Sequence, residues 1–69
     1  MKQYVVQFKR GTGATARQTI LTGLRATRRN AWRDSWGRVV QAVDIPDEQA
    51  TAFEAAMEKA EAVDHWHQK

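Results

Sequence analysis

Sixty-nine residues, one proline, no cysteine and a formal charge of +3 leave room for one small domain, residues 1–69. A chain this short buries only about 60% of the surface it exposes when unfolded, so its core is thin and a deep cofactor pocket has no space. Without cysteine there is no disulfide and no thiolate zinc site, and no apolar run is long enough to span a membrane.

The first ten residues, MKQYVVQFKR, are too charged for a secretory signal, and the missing cysteines fit a cytoplasmic protein. Residues Gln3 to Lys9 alternate, with Tyr4, Val6 and Phe8 on one face and Gln3, Val5, Gln7 and Lys9 on the other. This pattern predicts a half-buried strand that Gly11-Thr12-Gly13 breaks. From Ala14 the composition turns helical, with Thr12 or Thr15 able to cap the start. Ala16, Ile20, Leu24 and Thr27 follow a helical stripe with Leu21 beside it, and the helix is expected to end between Arg28 and Arg33.

Trp32 and Trp36 stand four apart, a spacing that suits one face of either a helix or a strand. The turn formers Asp34-Ser35 and Gly37 favour a short strand over residues 30–37, followed by a turn. Arg38 to Ile45 reads as a strong strand. Val39, Val43 and Ile45 lie on one face, interrupted by Gln41, and Val40 and Ala42 lie on the other. Pro46 with Asp47 and Glu48 opens a helix, whose apolar stripe is Ala50, Phe53, Met57 and Ala60. Glu61 to His67 closes as a last strand, with Val63, His65 and His67 sharing one face and Ala62, Asp64 and Trp66 the other.

The resulting βαββαβ order predicts an α+β, ferredoxin-like sandwich. Two helices cover one face of a four-stranded antiparallel sheet. The other face is left open, and it carries Val5, Gln7, Val40 and Ala42 if the opposite register supplies the core, a choice the pattern leaves undecided. An apolar open face would favour a homodimer.

Three stretches carry a family resemblance. They are YVVQFKRG at Tyr4–Gly11, DIPDEQATAF at Asp44–Phe53 and KAEAVDHW at Lys59–Trp66. In element order and in these stretches the chain resembles the propeptide-like inhibitors of subtilisin-type serine proteases. The resemblance implies a protein-binding inhibitor or folding assistant. It would dock its open sheet face, here Val40 and Ala42, on a protease and lay a C-terminal tail, here Trp66, His67, Gln68 and Lys69, in the active-site cleft.

The charge splits along the chain. Residues 1–38 hold nine basic residues against one acidic, a net +8, and residues 39–69 hold two against seven, a net −5. Arg25, Arg28, Arg29, Arg33 and Arg38 interleave with Trp32 and Trp36. Guanidinium forks for phosphate beside stacking rings are what single-stranded nucleic acid needs, so nucleic acid is the alternative partner. The competing reading is that the tryptophans fill a thin core and the arginines pair with the acidic half, holding a basic and an acidic helix side by side. A third reading is a small phage-type effector that blocks a host protein. His65 and His67 could share a metal but lack further ligands, and a frayed C-terminus is the plainer expectation. Lys9-Arg10-Gly11-Thr12-Gly13 could cradle an anion, although an ordinary turn explains it as well. Ser35, on a turn, is the sole serine, and no nucleophile–base pair is legible. The expectation is therefore a non-enzymatic binding module with no cofactor and no metal.

Overall fold

The computed structural model describes residues 1–69. Strand β1 spans Lys2–Phe8, helix α1 Ala14–Leu21, strand β2 Thr27–Arg33 and strand β3 Val39–Ile45. A 3-10 turn over Asp47–Gln49 leads into helix α2, Ala50–Lys59, and strand β4 spans Val63–Gln68. The strand order β2-β3-β1-β4, with every neighbouring pair antiparallel, is that of the ferredoxin-like α+β sandwich. No helix is long and apolar enough to cross a membrane.

The alternation in β1 sets the core. Tyr4, Val6 and Phe8 point to the helix side and are fully buried, joined by Val43 and Ile45 of β3. Helix α2 closes this layer with Ala50, Phe53 and Met57, while Ala60 lies just past its end. Tyr4 and Phe53 meet with ring centroids 4.4 Å apart, and Trp66 approaches both rings at 6.0 and 6.4 Å. The Tyr4 hydroxyl donates to Glu54 Oε2 at 2.7 Å, so the phenol of this buried ring reaches a partner at the rim of the cluster.

Four local expectations are corrected. First, α1 ends at Leu21, well before Arg28. Beyond it the chain reverses through Gly23 at φ +88° and Arg25 at φ +55°. Arg25, Arg28 and Arg29 would have given a longer helix no apolar stripe to bury, whereas residues 27–33 gain a ladder along β3. Only Leu21 of α1 is buried, with Ile20 and Leu24 packed beside the core, and Ala16 is exposed. Second, neither Thr12 nor Thr15 caps α1. Gly13 occupies that position, and the Thr12 hydroxyl donates back to the Lys9 carbonyl at 2.7 Å. Third, Trp32 lies on β2 but Trp36 lies in the turn after it, so the two rings share no element face. Fourth, Val63 parts company with His65 and His67. The β1–β4 register passes from Phe8↔Val63 to Gln7↔His65, so Asp64 is an extra residue and Val63 turns to the core.

A second bulge lies in β2, where the register passes from Arg28↔Val43 to Ala31↔Gln41. It explains the polar interruption in β3. Gln41 sits on the core side opposite Val6, only 8% exposed. Its Nε2 donates to the carbonyls of Arg29 at 3.0 Å and Asn30 at 3.3 Å, and to that of Ala42 at 3.1 Å. The side chain supplies the donor that the bulged ladder cannot.

Candidate functional site

The face of the sheet turned away from the helices has no covering element. β1 contributes Val5 and Gln7 to it, β3 contributes Val40, Ala42 and Asp44, and β4 contributes His65 and His67. Trp32, directly across the ladder from Val40, extends this face onto the edge strand β2 and is 47% exposed. Val5, Gln7, Trp32, Val40, His65 and His67 together line a shallow depression of about 220 Å³. Val40 is nearly buried between its cross-strand neighbours Gln7 and Trp32, whereas Ala42 is half-buried.

Charge on this face is internally matched. Asp44 is buried, and Arg29 Nε donates to its Oδ2 at 2.5 Å. At one end Asp34 gathers four donors. Gln7 Nε2 approaches at 2.6 Å, Arg38 Nε at 2.8 Å, and the backbone amides of Trp36 and Arg38 at 2.9 Å each. Desolvation pushes the Asp34 carboxyl up, but the bonds from Arg38, Trp36 and Gln7 outweigh it and hold the group below its ordinary value. Arg38 reaches onward with Nη1 to Asp64 Oδ2 at 2.6 Å, tying the β2–β3 turn to the bulge of β4. Gly37, at φ +81°, lets the turn close so that the chain re-enters β3 beside Asp34.

The residues expected to bind nucleic acid are divided. Arg29 and Trp32 stand on the helix-free face. Arg28 lies on the helix side, near Gln18, Leu21 and Ala26, and Arg33 lies near Arg17 and Val39. Arg25 sits in the loop between α1 and β2. Trp36, 71% exposed, lines a separate shallow depression with Arg10 and Arg38 at the end of the sheet. Two of the arginines, Arg29 and Arg38, are engaged by carboxylates. The expected pairing of a basic with an acidic helix is absent, because the arginines fall on β2 and no ion pair joins α1 to α2.

The C-terminal residues are also placed differently from the tail reading. Trp66, His67 and Gln68 belong to β4, opposite Val6, Val5 and Tyr4, and the Lys69 amide donates to the Gln3 carbonyl at 2.8 Å. Trp66 faces the core layer, so of the three residues within β4 only His67 is on the helix-free face. The Lys9–Gly13 segment forms a closed turn. The Thr12 amide bonds to the Lys9 carbonyl, and Arg17 Nη1 donates to the Thr12 carbonyl at 2.6 Å. The Asp34–Arg38–Asp64 network and the pairing of exposed Arg29 with buried Asp44 were not legible in the sequence. The Asp34-Ser35 turn signal marked the place of the first, and nothing marked the second.

No protein-family model matches the chain, and no curated protein and no solved structure matches it.

Proposed function

We propose that the chain is a non-catalytic protein-binding module that docks through the helix-free face of its sheet. The observation that carries this reading is Trp32. It is a large ring half exposed beside half-buried Val5 and nearly buried Val40, on a face whose ion pair is already matched. Tryptophan over an apolar floor is the usual anchor of a protein interface, and the polar rim of Gln7, His65 and His67 suits its margin. Phosphate recognition needs guanidinium groups free of carboxylates and next to the stacking ring. Arg25, Arg28 and Arg33 lie off this face, and Arg29 is held by Asp44.

The partner class comes from the resemblance to the propeptide-like inhibitors, which points to a subtilisin-type serine protease. Contact would run through Trp32, Val40, Ala42 and His67, with Trp66 and Gln68 acting from within β4 and Lys69 from just past its end. The test is titration against a panel of subtilisin-type proteases, reading both binding and residual activity. Stoichiometric inhibition is expected, lost in Trp32→Ala while the melting temperature stays unchanged. No binding to any member of the panel would remove the protease as partner. Retention of a single-stranded oligonucleotide that falls steeply with salt and is lost in a triple Arg25→Ala, Arg28→Ala, Arg33→Ala variant would overturn the protein reading.

A further inference from the structure

His65 and His67 are the chain's only histidines, and the fold arranges them more tightly than a frayed terminus would. β4 pairs with β1 from Tyr4 to Phe8, and the register is regular from His65 to Gln68. His65 stands opposite Gln7 and His67 opposite Val5, and the strand is secured beyond them by Tyr4↔Gln68 and by the Lys69 amide on the Gln3 carbonyl. Two residues apart on a regular strand, both side chains leave the same face, and both are exposed. Their ring centroids are 5.7 Å apart and the ring planes are inclined by 37°.

That separation is near the spacing a shared ion needs. An imidazole nitrogen sits about 2.0–2.1 Å from a zinc-like ion, which places two ring centroids on one tetrahedral ion roughly 5 Å apart. The observed 5.7 Å lies close to that spacing, on a strand held in place by its pairing with β1. We propose that His65 and His67 form a two-nitrogen chelate for a borderline divalent transition metal ion, of the class of Zn²⁺ or Ni²⁺. Imidazole donors select this class over Mg²⁺ and Ca²⁺, which take oxygen ligands. Asp64, next to His65 in sequence, is occupied by Arg38, and Asp34 by Arg38 and Gln7. No further His, Cys, Asp or Glu joins the pair. The ion's remaining positions therefore fall to water or to a donor from outside the chain. The chelate belongs to the isolated chain and does not depend on the docking reading above.

The experiment is a titration of the tag-free chain with Zn²⁺ and separately with Ni²⁺ and Mg²⁺ at neutral pH. Imidazole resonances are followed by NMR, and affinity is measured by calorimetry. With Zn²⁺ both rings should shift together and saturate at one ion. Mg²⁺ should move neither. His65→Ala and His67→Ala, both at exposed positions, should keep the melting temperature and each weaken Zn²⁺ binding by about tenfold or more, because the second nitrogen acts at high effective concentration. No imidazole shift with Zn²⁺, a shift confined to one ring, or undiminished affinity in either single variant would overturn the chelate.

Discussion

Phe53 gives the most direct test of how this fold is held. It is fully buried, lies against Tyr4 at 4.4 Å and presents an edge to Trp66 at 6.4 Å with the planes 84° apart. It is the central side chain that α2 offers the sheet. Replacing a buried phenylalanine by alanine costs about 3–5 kcal/mol, the upper part of that range where ring–ring contacts are lost as well. At about 0.05–0.15 kcal/mol per residue, a domain of this length has only about 3–10 kcal/mol in total. Phe53→Ala should therefore bring the chain to the edge of unfolding at room temperature. Phe53→Leu, which keeps most of the volume, should lose about 1–2 kcal/mol. For a domain of this size that lowers the melting temperature by roughly 5–15 °C. Urea and thermal unfolding followed by far-ultraviolet circular dichroism and by tryptophan emission would measure both, with Trp66 as the local reporter. A loss below about 1 kcal/mol for Phe53→Ala would show that α2 is not the element that closes the core, and the packing argument would fail.

Burial, with the hydrogen bond and nearby charge of Glu54, pushes the Tyr4 hydroxyl from 10.0 up to about 12. The folded state thus binds this proton more tightly than the unfolded one. The corresponding stability is complete below pH 10 and is lost as pH rises through about 12, so urea midpoints should fall across that interval in the parent chain and fall less in Tyr4→Phe. In Gln41→Leu the bulge carbonyls of Arg29 and Asn30 lose their side-chain donor at nearly unchanged volume, for a cost of about 1–3 kcal/mol. Amide exchange should then quicken in β2 more than in β1, and equal exchange in both strands would count against the bridging role of Gln41.

The charge split along the chain acquires a different meaning in three dimensions. The basic first half does not form a helix that pairs with the acidic one. Most of its arginines are distributed around an edge strand and the loops that flank it, and those that find carboxylates find Asp44 and Asp64 on the sheet and Asp34 in the turn after β2. Arg29 and Arg38 thereby act as ties: Arg29 joins β2 to β3, and Arg38 joins the turn to β4. Double alternation of charge and apolar surface on one sheet leaves Trp32 as the large exposed ring on the face that no helix covers. The docking proposal rests on that ring.

Local pattern alone determined the strongest elements. β1 and β3 follow from strict alternation of β-branched and aromatic residues, α2 from an apolar stripe behind Pro46, and the ferredoxin-like order from their succession. The side of the sheet that becomes core did not follow, because Val5, Val40 and Ala42 make the second face apolar as well; only the packing of the helices buries Tyr4, Val6 and Phe8. Residues 22–37 were different. There the apolar signal is thin, and helix or strand is chosen by the ladder that β3 offers, whose partners run from Arg33↔Val39 out to Thr27↔Asp44. The two bulges likewise exist only as register shifts between strands, so the turning of Val63 inward and the capping role of Gln41 could not be read from spacing. The candidate site has the same origin. Trp32 and the histidine pair come from opposite edges of the sheet and become neighbours over Val5 and Val40 only when β1 and β3 form its centre. Periodicity records which face a residue takes within its own element, and pairing across strands decides which faces meet.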